Sequence, residues 1–119
     1  MIILHCGSFE AATRSYYYDS LVKQCSVVEQ GTLDGTDFLN QLIDRFASGV
    51  ETTFSNNYVV LLALRLAVKR GLVNPENVLV IYHTGIGEYT GITIDKNGKV
   101  TGWEHGFYDV LETALRELV

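Results

Sequence analysis

The stretch Val50–Tyr82, VETTFSNNYVVLLALRLAVKRGLVNPENVLVIY, predicts a strand, a helix, a tight turn and a second strand. Its first segment, Val50–Phe54, is short and rich in β-branched residues, and Asn56 or Asn57 can cap the helix that follows. The segment Tyr58–Val68 is apolar on almost every side of a helix, which predicts that the helix Asn57–Arg70 is the most buried of the fold. The stretch therefore forms a βαβ unit at the centre of an α/β domain.

The end of this helix is marked by two residues. Gly71 stands where a left-handed C-terminal cap belongs, and Pro75 follows where a helix does not easily resume. Val78–Tyr82 is an apolar run typical of a buried strand. The next segment, His83–Tyr89, contains two glycines and predicts a turn that carries His83 on the surface.

The flanking segments extend the same pattern into a single domain spanning residues 1–119. We expect a mostly parallel sheet flanked by helices, with a C-terminal β-hairpin and a terminal helix. Apolar periodicity and turn residues define the other elements. These are strands at Ile2–Cys6, Ser26–Glu29 and Thr90–Asp95, a hairpin turn at Lys96–Lys99, and helices starting near Ser8, near Thr36 and before Phe107.

Charge and composition narrow the function classes. The 119 residues carry a net charge of −5, whereas a free-standing nucleic-acid-binding domain needs a basic surface. No apolar run reaches the roughly 18–20 residues that span a bilayer. Cys6 and Cys25 have no metal-ligand spacing and predict reduced thiols. With no leader pattern at the N-terminus, we expect a cytoplasmic protein without membrane or nucleic-acid partners, bound metal or cofactor.

Two segments carry a resemblance to a known family. Val27–Gly49 resembles the Walker B strand and following helix of ABC/SMC-type ATPase heads in prokaryotic AAA-family defence proteins, with Glu29 and Gln30 matching the acid and its neighbour. Glu51–Ser55 is similar to the family's Glu-Thr-His-Ser strand end, with Phe54 where the family has a phosphate-sensing histidine. Similarity continues through the following helix and turn to the C-terminal tail, so it covers about residues 27–109.

The resemblance implies a partial P-loop ATPase-like head without its chemistry. No GxxxxGK[ST] motif is present to hold phosphates, and the phenyl ring of Phe54 cannot hydrogen-bond to one. Glu29, Gln30, Glu51 and Phe54 would then be degenerate remnants of the Walker B and switch positions. We expect an isolated chain that neither binds nor hydrolyses ATP.

Other residues suggest chemistry at the carboxyl ends of strands, where open α/β sheets bind ligands. His83 and Glu88 could form a general acid–base pair, and His5-Cys6 with Gly7-Ser8 could place a nucleophile at a strand-to-helix turn. The Gly85-Ile86-Gly87 sequence lacks the third glycine of a dinucleotide fingerprint. His105 is expected to pack or to cap a helix.

Three functions follow from these patterns. The first is a non-catalytic ATPase-lobe-like module that assembles with itself or with a complete ATPase. The second is a small α/β enzyme or ligand-binding domain with a site at the strand ends. The third is a regulator that mimics an ATPase lobe in phage defence or counter-defence. Interface candidates for the first and third are aromatic: Tyr16, Tyr17, Tyr18, Trp103, Phe107 and Tyr108.

Overall fold

The computed structural model describes residues 1–14, 26–27, 35–49, 51–102 and 116–118. Six strands and three α-helices lie within these ranges, in addition to the helical residues 116–118. They are β1 (Ile2–Gly7), α1 (Phe9–Arg14), β2 (Ser26–Val27), α2 (Gly35–Ala47), β3 (Glu51–Phe54), α3 (Tyr58–Lys69), β4 (Val78–Gly85), β5 (Glu88–Ile94) and β6 (Val100–Thr101), with a 3₁₀ turn at Pro75–Asn77 before β4.

The described strands form one sheet in the order β2-β3-β1-β4-β5-β6. β1 lies between β3 and β4 and runs parallel to both, with Leu4 opposite Thr53 on one side and Val80 on the other. β2 extends the parallel part beside β3. β5 and β6 then add antiparallel strands at the other end. The α/β class is therefore confirmed, but the sheet is mixed, and its description as mostly parallel is not confirmed.

The helix α3 has the most buried side chains of the described helices, as expected from its apolar sequence. Asn57 caps its first turn by accepting the amide N–H of Val59 at 3.0 Å. At its other end Gly71 has a φ of 75°, and the N–H of Leu72 returns to the carbonyl of Ala67. This hydrogen bond closes a left-handed helix cap, which glycine makes possible because it has no Cβ atom. Six side chains of α3 are buried: Val60, Leu61, Ala63, Leu64, Ala67 and Val68.

The two faces of the sheet are covered by different helices. The main apolar cluster joins α2 and α3 to one face, to which β1 contributes Ile2, Leu4 and Cys6. Side chains alternate along a strand, so His5 belongs to the opposite face. Ala11 and Ala12 of α1 are buried outside the main cluster, and α1 contacts β4. The second face is therefore the α1 face, in agreement with right-handed crossover connections.

The turn predicted over His83–Tyr89 is much shorter in the structure. β4 continues to Gly85, and β5 begins at Glu88, so only Ile86 and Gly87 lie between the two strands. A turn this short is possible because Gly87 has a φ of 76°, a conformation that side-chain-bearing residues adopt at a cost. His83 consequently lies inside a strand and is buried, which corrects its expected surface position.

Two further predictions concern the hairpin and the terminal helix. The hairpin between β5 and β6 is confirmed, with Thr93 opposite Thr101. Most of the predicted terminal helix lies outside the described residues, although residues 116–118 are helical. Among the described helices, none is long and apolar enough to cross a membrane.

Candidate functional site

Two histidines from neighbouring strands meet at the carboxyl end of the parallel sheet. Nδ1 of His5 on β1 lies 2.9 Å from Nε2 of His83 on β4, and the ring planes are 20° apart. The side chain of His5 is 0% exposed and that of His83 is 2% exposed. The strand register explains the contact, since Gly7 is opposite His83 and His5 therefore lies two residues away on the same face.

Burial keeps both imidazoles uncharged at neutral pH. Desolvation, and to a smaller extent the charge of a protonated His83, lowers the pKa of His5 from its ordinary value of 6.5 to about 4. Desolvation also lowers the pKa of His83. A neutral imidazole has one N–H donor and one bare nitrogen acceptor. In the pair, one ring therefore donates its N–H to the bare nitrogen of the other, which couples their tautomers.

A third ring connects the histidine pair with the surface. Tyr89 is opposite His83 in the β4–β5 pairing, and their ring centroids are 6.4 Å apart. The tyrosine is 47% exposed. The three rings thus form a row across β1, β4 and β5 that leads from the interior of the sheet to solvent.

The backbone beside the histidine pair is held by a network at the end of β1. The side chain of Asn56 accepts the N–H of Gly7 at 2.6 Å and donates to the carbonyl of the same residue at 2.8 Å. The N–H of Ser55 donates to the carbonyl of His5, and the N–H of Ser8 donates to the carbonyl of His83. These bonds join β1 to β3 and β4 where their regular pairing ends.

This network lies where the connections that follow two neighbouring strands, β1 and β3, run in opposite directions across the sheet. After β1 the chain continues to β2 at one edge, whereas after β3 it crosses to β4 on the other side of β1. Open α/β sheets form ligand-binding crevices where neighbouring strands continue in opposite directions. Gly7 and Asn56 lie at this point, and the histidine pair lies on the adjoining strands.

We expect Asn56→Ala to lower stability by about 1–2 kcal/mol, since it removes both hydrogen bonds to Gly7. Asn56→Asp keeps the acceptor for the Gly7 N–H and loses only the donor, so its loss should be about half as large. Urea unfolding measures both values. Equal stability of Asn56→Ala and the wild type would show that the bonds to Gly7 contribute nothing.

The structure does not pair His83 with Glu88, as the sequence predicted. Glu88 lies opposite Gly85 and is exposed, whereas the partner of His83 across the hairpin is Tyr89. The partner of His83 within the sheet is another histidine, His5, so the acid–base pair predicted with Glu88 is replaced by a pair of imidazoles.

The predicted nucleophile at the β1–α1 turn is also corrected. Cys6 is 1% exposed and packs in the main cluster on the face opposite His5, with Sγ 3.7 Å from the carbonyl oxygen of Ile81. Adjacent residues of a strand point to opposite faces, so His5 cannot act on its neighbour. Ser8 accepts the N–H of Ala11 and thereby caps α1.

The residues that carry the ATPase resemblance give limited further information. Phe54 is buried at the end of β3, opposite His5 in the β1 pairing. Glu51 begins β3. Glu29, Gln30, His105 and all six aromatic interface candidates lie outside the described residues. The predicted assembly with an ATPase, or with a second copy, therefore stays a prediction.

Within the described ranges, no group of three or more histidine, cysteine, aspartate or glutamate residues is placed to hold a metal ion. Hydrogen bonding and proton exchange are the chemistry that the histidine pair itself supplies. A neutral imidazole can donate to one group, accept from another, and take up a proton when its pKa permits.

Comparison of the chain with protein-family models, with curated proteins and with solved structures found no significant match. The functional argument therefore depends on the geometry of the site.

Proposed function

We propose that this protein is a small α/β ligand-binding domain whose site lies at the carboxyl ends of β1, β3 and β4. The observation that carries the proposal is the 2.9 Å contact between the buried imidazoles of His5 and His83. It lies beside the point where open α/β sheets form their binding crevices. This corresponds to the second function class that the sequence suggested.

The energetic argument starts from the cost of burying polar groups. A pair of well-packed apolar side chains would stabilise this part of the sheet without the desolvation cost of two imidazoles. Polar groups retained in such a place are frequently part of a functional site. The row from His5 through His83 to the exposed Tyr89 gives the pair a connection with solvent.

The protonation state indicates the chemistry of the ligand. Because the pKa values of both histidines are lowered, the pair is neutral near pH 7 and carries no charge that would attract an ionic ligand. Neutral donors and acceptors pair well with hydroxyl, amide and heterocyclic groups. We therefore assign a small, uncharged polar molecule to the site.

The proposal is tested by imidazole NMR of the ¹⁵N-labelled protein during titration with polyols, amides and nucleosides. A ligand should shift the ring resonances of His5 and His83 saturably. The double variant His5→Leu/His83→Leu should lose the binding. Equal binding by the double variant, or no saturable shift at millimolar concentrations, would contradict the proposal.

A further inference from the structure

A second candidate site lies on the other side of the molecule, between α3 and the turn that joins β5 to β6. A depression of about 200 Å³ is lined by two leucines, two cations and two turn residues. These are Leu62, Arg65, Leu66, Lys69, Asn97 and Gly98. We call this depression the α3–hairpin groove.

The turn beside the groove is held rigidly. One carboxylate oxygen of Asp95 accepts the N–H groups of Asn97 and Lys99, at 2.9 and 3.0 Å. The N–H of Gly98 donates to the carbonyl of Asp95, which closes the turn. The wall of the groove is therefore formed before any ligand arrives, which reduces the ordering cost of binding.

The turn also packs directly on the backbone of α3. Gly98 has a φ of 78°, and a Cβ atom at this position would lie 2.7 Å from the carbonyl oxygen of Arg65. No side chain fits in this space, so glycine allows the close approach. The contact fixes the distance between the helix and the turn, and with it the width of the groove.

Arg65 is oriented by the same turn. Its Nε–H donates to the carbonyl of Gly98 at 2.8 Å, and the residue is only partly buried. A guanidinium has four further N–H donors in the same plane, in a geometry that suits a carboxylate. One helical turn away, the exposed Lys69 adds a second positive charge to the same wall.

The charge around the groove is opposite to that of the whole chain. Five of the nine lysines and arginines lie in residues 65–70 and 95–99, where Asp95 is the only acid, in a chain with a net charge of −5. These five are Arg65, Lys69, Arg70, Lys96 and Lys99. None of them forms an ion pair with another residue in the described part of the chain.

From this combination we infer that the α3–hairpin groove binds an acidic peptide segment of a partner protein that carries leucine-like side chains between its carboxylates. Arg65 and Lys69 receive the carboxylates, and Leu62 and Leu66 receive the apolar side chains. The peptide is favoured over a nucleic acid because the basic surface is small, contains leucines and belongs to an acidic chain that repels a polyanion at long range.

Fluorescence anisotropy tests the inference with the full chain. The probe is a labelled peptide of alternating glutamate and leucine, and its comparison is the same peptide with glutamine in place of glutamate. We expect saturable binding of the acidic peptide at low ionic strength, and at least tenfold weaker binding of the glutamine peptide and of labelled single-stranded DNA. Binding should also weaken as salt is added.

Variants locate the binding on the protein. Arg65→Gln and Lys69→Gln should each weaken binding of the acidic peptide several-fold. The double variant should weaken its binding at least tenfold. Arg116→Gln removes an exposed cation that does not line the groove and should leave binding unchanged. Circular dichroism confirms that the variants are folded. Equal affinity for both peptides, tighter binding of DNA, or unchanged affinity in the double variant would each overturn the inference.

Discussion

Gly7→Ala should lower the free energy of unfolding by about 3 kcal/mol or more, the largest loss we expect from a single methyl group. Gly7 ends β1 with a φ of 88°, and an added Cβ would clash with the carbonyl oxygen of His83. That oxygen accepts the N–H of Ser8, so it cannot move without loss of a hydrogen bond. The strand end would have to shift away from β4 and towards Asn56, which would distort the two hydrogen bonds between Asn56 and Gly7.

Gly87→Ala is the matched control for this prediction. Gly87 also has a positive φ, of 76°, but no described atom lies within 4 Å of the position of an added Cβ. Only the backbone penalty remains, which is about 1–2 kcal/mol for an alanine in a left-handed conformation. Chemical denaturation of both variants measures the difference. Similar losses for the two would mean that the close contact between Gly7 and His83 does not restrict the strand end.

The second large effect is a loss of stability on mild acidification. The pKa of His5 is 6.5 in the unfolded chain and about 4 in the folded chain. Between these values the unfolded state binds more protons, so stability is complete above pH 6.5 and falls as pH decreases. With allowance for solvent screening at the carboxyl end of the sheet, we expect His5 to account for a loss of about 2 kcal/mol. The lowered pKa of His83 adds a loss of the same sign.

Histidine substitutions separate this effect from the titration of carboxylates. In His5→Leu/His83→Leu, the decrease in stability between pH 6.5 and pH 5 should largely disappear. Urea unfolding at a series of pH values gives the slopes directly. A slope that persists in the double variant would assign the acid sensitivity to other groups.

The same variants measure the coupling between the two rings. His5→Leu alone leaves a buried nitrogen of His83 without its imidazole partner and should cost about 1–3 kcal/mol at pH 7. The double variant removes both polar groups, so its cost should be less than the sum of the single costs. Additive costs would show that the 2.9 Å contact contributes no interaction energy.

The local pattern of the chain determined most of the helices and strands near its centre. Asn57 and Gly71 bound α3 as expected, because a cap and a left-handed terminus act within a few residues. The apolar spacing of α2 likewise predicts its buried side, on which Phe38, Leu42 and Phe46 lie. These features depend on neighbours in sequence, which is why sequence alone could establish them.

The candidate site depended on long-range pairing. The sequence singled out His83 but predicted it in a surface turn, and it considered His5 only beside Cys6. Their contact joins residues 78 positions apart, and it exists because β4 pairs with β1 in one particular register. A histidine at the end of each of two apolar strand segments was the available signal, but strand order was needed to bring them together.

The turns and the α3–hairpin groove likewise combine local features that the sequence predicts with long-range contacts that it does not. Lys96–Lys99 was identified as a hairpin turn from its Asn-Gly pair, but its contact with α3 required the folded chain. Gly98 lies against the carbonyl oxygen of Arg65, a residue 33 positions earlier. Caps and periodicity act over one or two turns of chain, whereas the histidine pair and the groove arise where distant segments pack. Only the tertiary structure could therefore decide which residues meet at either site.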